Sequence, residues 1–188
     1  MEKIIAAPAR SPFFIILIIW LFPAMSEEVA EKNQTIDLTT VNRIFLYNLF
    51  LGDETKIDSC LALANQGLKK FVFISLEKQE LFLIELKDTF QLKIQAKISS
   101  GLQSGWTPTG YFTISKKKLA RPSKKYGGVM TYWNCLTPDE AIGIHGLRDV
   151  SYEKNLGKPV SHGCVRIGKD IEKEFYELAP IGTIVLIE

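Results

Sequence analysis

Phe71-Val72-Phe73-Ile74-Ser75-Leu76, then the polar Glu77-Lys78-Gln79-Glu80, then Leu81-Phe82-Leu83-Ile84-Glu85-Leu86 is the stretch that decides the fold. Two runs rich in aromatic and branched apolar residues on either side of a short polar break read as a β-hairpin. Downstream, Leu92, Ile94, Ala96 and Ile98 alternate with Gln91, Lys93, Gln95 and Lys97, the pattern of a half-exposed strand. Residues 101–110 form a turn containing glycine and proline, followed by a short strand, Tyr111-Phe112-Thr113-Ile114. Tyr132-Trp133 and residues 141–144 suggest two more strands, and residues 183–187 a closing one. Ile171, Phe175 and Leu178 mark one short helix between Gly168 and Ala179-Pro180. Seven short strands with one helix predict a mostly-β barrel or sandwich.

Upstream of the hairpin the period is helical. Thr39 or Thr40 is placed to cap a helix through Val41, Ile44, Phe45 and Leu49. Gly52 and Asp53 interrupt it, and Ile57, Cys60, Leu61 and Ala64 continue the period to Gly67. This small helical segment, residues 37–66, is too short to fold alone. It reads as a packing brace or a partner-docking element.

Residues 27–34 are polar and read as a linker. Before them, Lys3 and Arg10 give a positive start, residues 13–22 are an unbroken apolar run, and Pro23 ends it. Ala24-Met25-Ser26 supplies small residues for a cut before Glu27. That order describes a secretory signal peptide, or a membrane anchor if it is not cleaved. The apolar run is short for a transmembrane helix, which needs about 20 such residues. The predicted organisation is therefore a signal peptide (or anchor) over 1–26, a linker and helical segment over 27–68, and a β-rich domain over 69–188 that works outside the cytoplasm.

Composition narrows the function. The chain has 188 residues, with 23 Lys or Arg against 21 Asp or Glu, and no domain-wide basic field for nucleic acid. Hydrophobic residues at 46% and aromatics at 11% supply a core and argue against disorder. Three cysteines are too few for a disulfide scaffold, and two histidines are few enough to take one at a time.

Both histidines lie near Cys164, in Ile144-His145-Gly146 and in Ser161-His162-Gly163-Cys164-Val165-Arg166. A thiol beside an imidazole is what nucleophilic acyl transfer requires, because the base lowers the thiol pKa from about 8.5 and keeps thiolate present near and below neutral pH. Gly163 removes a side chain beside the sulfur, so that a carbonyl substrate can approach and backbone N–H groups can face an oxyanion. Residue types alone leave either His145 or His162 as the base. They also admit a zinc site from His145, His162 and Cys164 with Asp149, or an inert buried cysteine.

The two pieces together resemble the signature of the L,D-transpeptidase catalytic domain, the YkuD family. Thr107-Pro108-Thr109-Gly110-Tyr111-Phe112-Thr113-Ile114 is similar to the family's TPTGxFxI segment, and Gly182-Thr183-Ile184-Val185-Leu186-Ile187 to its closing strand. The hairpin from Phe71 is similar to its first strands. The resemblance covers residues 69–188, which it identifies as a catalytic domain of L,D-transpeptidase-like β-barrel or sandwich fold. It implies Cys164 as nucleophile and His145 as its base, with the Gly146 carbonyl orienting the imidazole. Amides around Gly163 and Cys164 are implied as the oxyanion hole, Ser161 and His162 as shaping the site, and Arg166 as fixing local structure or meeting a substrate carboxylate.

The implied reaction takes a peptidoglycan tetrapeptide stem, releases D-alanine, and passes the acyl group to an amine of a second stem or of a wall-attached protein. No cofactor, metal or nucleic acid is implied, and membrane contact only through an uncleaved N-terminus. Transfer to water would make the same site an L,D-carboxypeptidase. A wall-binding module with a vestigial Cys-His pair is the rival outside enzymes, though such a module needs no thiol. The expected location is periplasmic or otherwise extracytoplasmic, at the cell wall.

Three weaker features remain. Asn134-Cys135-Leu136-Thr137-Pro138-Asp139-Glu140 departs from the family pattern. Lys116, Lys117, Lys118, Arg121, Lys124 and Lys125 read as a solvated basic loop or an electrostatic dock for anionic wall polymer. Cys60 has core spacing, Cys135 falls in a predicted loop, and an oxidising compartment would permit a Cys60–Cys135 disulfide.

Overall fold

The computed structural model describes residues 38–123 and 127–188. The predicted signal segment 1–26, the polar linker 27–34, and Lys124 and Lys125 lie outside the described residues. Among the described residues no helix is long and apolar enough to cross a membrane.

Among the described residues two helices come first, α1 (Leu38–Leu49) and α2 (Glu54–Asn65). The first opens at Leu38, so neither Thr39 nor Thr40 occupies its capping position. Asp53 caps the second by accepting from the Lys56 backbone N–H at 3.3 Å. Leu46, Phe50, Ile57, Cys60 and Leu63 form their buried side and pack on Phe71, Phe73, Phe82, Ile84, Phe90 and Leu186 of the sheet. Phe50 meets Phe82 edge-on at 5.4 Å. Asn42 Oδ1 also accepts the Phe90 N–H at 2.8 Å, and Ser59 Oγ reaches Glu188 at 3.0 Å. At roughly 1.5–3 kcal/mol per large apolar side chain against about 1 kcal/mol per net hydrogen bond, the apolar seam dominates. The helices brace the sheet.

Among the described residues nine strands form one sheet: β1 (Lys70–Ser75), β2 (Glu80–Leu86), β3 (Phe90–Ser99), β4 (Gly110–Thr113), β5 (Lys116–Pro122), β6 (Val129–Cys135), β7 (Gly143–Gly146), β8 (Val165–Ile167) and β9 (Ile184–Ile187). Their order across it is β4-β9-β1-β2-β3-β8-β7-β6-β5. The β1–β9 and β7–β8 pairs are parallel and the rest antiparallel. Strands β1 and β2 are covered on both faces, which is why they read as unbroken apolar runs. Phe71 and Phe73 face the helices, while Val72 and Ile74 enter a second cluster with Leu83, Ile98, Ile144 and Val185. Ile114 and Leu136, near opposite edges of the sheet, share that second cluster, so the sheet curls around it. The short helix α3 (Glu172–Leu178) supplies Phe175 to the same core.

The sheet exceeds the seven predicted strands by β5 and β8. Neither gives a readable pattern: β5 is a basic edge strand, and the alternation of β8 is only three residues long. The described part of the basic tract, Lys116 to Arg121, is therefore not a free loop. Lys116, Lys118 and Arg121 converge on Glu140 at 2.8, 3.3 and 3.7 Å, and Lys117 turns onto the C-terminal turn of α3, 2.7 Å from the Ala179 carbonyl. Cys135 is not in a loop either. It ends β6, fully buried, and its thiol is directed to the Thr137 carbonyl at 3.3 Å. All three cysteines are free thiols, with Cys60 held in the helix seam, so the Cys60–Cys135 disulfide is not formed.

Candidate active site

Strands β7 and β8 lie side by side and parallel, with Ile144 opposite Val165 and His145 opposite Arg166. Extending that register by one residue sets Cys164 beside Gly143. A 3-10 helix (Val150–Asn155) and the loop after it carry the chain between the two strands. Residues nineteen apart in sequence, His145 on β7 and Cys164 just before β8, thus line one cleft. Asp149, which a zinc reading would need, instead caps the 3-10 helix through the Ser151 N–H at 2.9 Å. Among the described residues no three His, Cys, Asp or Glu side chains gather as metal ligands.

His145 is buried, with 7% of its surface exposed, and its ring stacks on Trp133 at 5.7 Å. The Arg121 guanidinium covers the Trp133 ring, 4.4 Å from its centroid. Nδ1 of His145 lies 2.7 Å from the Gly146 carbonyl oxygen. A carbonyl only accepts, so Nδ1 carries the proton and Nε2 keeps a free lone pair. Burial pushes the imidazole pKa down to about 4, with Arg166, Arg121 and Lys169 acting in the same direction and the Gly146 hydrogen bond opposing.

That depression has a consequence for stability. Between pH 6.5 and 4 the unfolded chain takes up a proton that native His145 refuses, so stability falls as pH drops through this window and is unaffected by this group above it. The loss integrates to about 3 kcal/mol. Denaturant midpoints compared at pH 7 and pH 4.5 should show it in the wild type and show far less of it in His145→Gln. Carboxylate contributions are common to both proteins, and an equal acid loss in the two would refute the assignment.

Cys164 is half-buried, and its thiol is directed to the Ala141 carbonyl at 3.4 Å. Burial raises its pKa, and the Gly143 backbone and the Arg121 and Arg166 guanidiniums only partly offset this. Desolvation penalises both charged forms and favours a neutral thiol and a neutral imidazole over the expected thiolate.

The loop before Cys164 is built on side chain to main chain bonds. Ser161 Oγ accepts the Gly163 N–H at 3.0 Å and donates to the Cys164 carbonyl at 2.6 Å. The Gly163 amide is thus already engaged, which leaves the Cys164 amide as the oxyanion candidate. Gly163 has φ +126°, and a Cβ there would come within 2.7 Å of the Trp106 carbonyl oxygen. Backbone geometry demands this glycine, beyond access to the sulfur. His162 is exposed and stacks on Trp106 at 5.9 Å. It lines the cleft on the open side, whereas His145 is fixed below.

The cleft holds about 780 Å³ and is lined by Cys164, His145, His162 and three arginines, Arg121, Arg148 and Arg166. Arg121 is paired with Glu140, while Arg166 has no ion-pair partner among the described residues. Residues 69–187 match the L,D-transpeptidase catalytic domain family, YkuD. The chain belongs to this family.

A provisionally named L,D-transpeptidase of Bacillus subtilis (strain 168), YqjB, is 27% identical over 107 residues, covering 48% of this chain and 56% of that protein. Among solved structures, an L,D-transpeptidase from Mycobacterium smegmatis superposes with TM-score 0.55 at 16% identity, over 64% of this chain and 58% of that one. One from Stackebrandtia nassauensis gives 0.54 at 24% identity, over 64% and 56%. The chain thus spans a little over half of each relative, and the structural likeness concerns the fold.

Within this L,D-transpeptidase-family domain His145, His162, Cys164 and Arg166 line one cleft, Ser161 and Gly163 build the loop before Cys164, and the Gly146 carbonyl holds the His145 ring. Sequence reasoning missed Thr107, whose buried hydroxyl accepts the Gly101 N–H at 2.8 Å and donates to the Gly163 carbonyl at 2.6 Å. The TPTG segment contained that signal, since it ties a distant turn to the loop under Cys164. The approach of Trp133 and Arg121 to His145 left no signal, since it depends on how β5 and β6 pair.

Proposed function

We propose that the protein is an exported cysteine L,D-transpeptidase of cell wall biogenesis, with residues 1–26 as its signal peptide and 69–188 as its catalytic domain. One observation carries this reading: an imidazole of fixed tautomer on β7 and a half-buried thiol just before the adjacent parallel strand β8 open on a cleft rich in guanidinium groups. Family membership supports it, as does the fold likeness to LD transpeptidase LdtMt1 in its complex with imipenem (TM-score 0.56, 15% identity, 64% of this chain and 59% of that one).

His145 Nε2 takes the Cys164 proton as sulfur attacks the carbonyl of the third stem residue. The imidazolium then gives that proton to the departing D-alanine amine, leaving a thioester. An acceptor amine attacks the thioester, loses its proton to Nε2, and the thiol is regenerated. Arg166 and Arg148, which both line the cleft, suit the carboxylates of an anionic stem peptide. Incubating the protein with purified disaccharide-tetrapeptide should give a cross-linked dimer and free D-alanine by mass spectrometry. Tripeptide alone would assign a carboxypeptidase, and unchanged substrate would overturn the enzyme reading.

A further inference from the structure

On the side of His145 away from the cleft, Gly146 rests on a buried ionic cluster. Glu172, at the start of α3, is only 7% exposed. Thr131 Oγ1 on β6 donates to Glu172 Oε2 at 2.5 Å. Lys169 Nζ, just after β8, reaches Thr131 Oγ1 at 3.0 Å and the two carboxylate oxygens at 3.1 and 3.2 Å. A Cβ on Gly146 would overlap Glu172 Oε2 and come within 2.6 Å of Thr131 Oγ1. The carboxylate thus fills the place a side chain would take. Burying an ion pair is costly and often no more stabilising than apolar packing, so the cluster's location calls for a reason. That location is directly behind the peptide whose carbonyl accepts the His145 Nδ1–H.

We propose that Glu172, Lys169 and Thr131 are positioning residues that clamp the Gly146 peptide and thereby lock the His145 tautomer and ring orientation. The proposal rests on the reading of His145 as the base. Lys169 acts on the His145 imidazole as a positive charge, alongside Arg121 from β5 and Arg166 from β8, and Glu172 offsets that charge through its two contacts with Lys169. Neutralising each alone should therefore move the imidazole in opposite directions.

The test is ring-15N NMR of His145 through a pH titration, run with acylation of Cys164 by imipenem. Wild type should show a single Nδ1–H tautomer. Glu172→Ala should show mixed tautomers and acylate about 10- to 100-fold more slowly, the scale expected for a misplaced catalytic group. In Glu172→Gln the unbalanced Lys169 should lower the His145 pKa, and in Lys169→Met it should rise. A purely structural role would not split the two signs. An unaltered tautomer in Glu172→Ala, or titration shifts of the same sign in the charge variants, overturns the proposal. Should Glu172→Ala fail to fold, the two charge variants decide alone. Failure of the base reading looks different, with tautomer and titration behaving as stated while His145→Gln still acylates at the wild-type rate.

Discussion

Cys164→Ala should lose turnover by about 10⁴-fold or more, the scale seen when a covalent nucleophile is removed. The fold should survive, because the change removes one sulfur at the half-buried edge of a cleft, at a stability cost of about 1 kcal/mol. His145→Gln should fall nearly as far, since an amide cannot take the thiol proton at Nε2. His162→Gln should lose much less. Its imidazole is exposed and stacked on Trp106, and no strand holds it against the sulfur. The measurement is D-alanine release from disaccharide-tetrapeptide under single-turnover conditions, with melting curves as controls. Wild-type-like release by Cys164→Ala would end the covalent mechanism. A greater loss in His162→Gln than in His145→Gln would reassign the base.

The choice between the histidines shows where sequence reading stops. The thiol, the two imidazoles and their glycines were visible at once, but residue types left His145 and His162 equal, and the resemblance alone separated them. The structure supplies a physical difference, a ring buried on Trp133 with Nδ1 given to the Gly146 carbonyl. That contact is local, since the acceptor is the next residue. The burial is not, because Trp133 comes from β6 and its Arg121 cover from β5. Strands β1 to β3 were legible for the opposite reason, as their apolar runs and alternation follow directly from which faces are covered. Strand β5 was hidden because its lysines reflect an edge and a shared Glu140 rather than a periodic core. Protonation is hard to read from sequence, which shows which groups are neighbours but not how much water each has lost. Desolvation outweighs the neighbouring guanidiniums at Cys164 and reverses the expected sign.

That reversal separates two kinds of thiol reactivity. Iodoacetamide reacts only with thiolate, and an ordinary thiol of pKa about 8.5 is about 3% ionised at pH 7. Cys164 lies above the ordinary value, so its alkylation should be slow at pH 6 and rise about tenfold per pH unit toward pH 9. Cys60 and Cys135 are fully buried, and burial raises the Cys60 thiol further, so both should label far more slowly than Cys164 at every pH. Neutral His145 lends the sulfur no charge. His145→Gln should therefore leave iodoacetamide labelling of Cys164 within about twofold of wild type. Carbapenem acylation requires the base to remove the thiol proton during attack, and the same variant should lose about 10²–10⁴-fold of that rate. Peptide mapping after alkylation and intact mass after carbapenem treatment read the two rates separately. If His145→Gln depresses both together, a standing thiolate–imidazolium pair exists and the neutral-pair site is wrong. If it depresses neither, His145 is not the base.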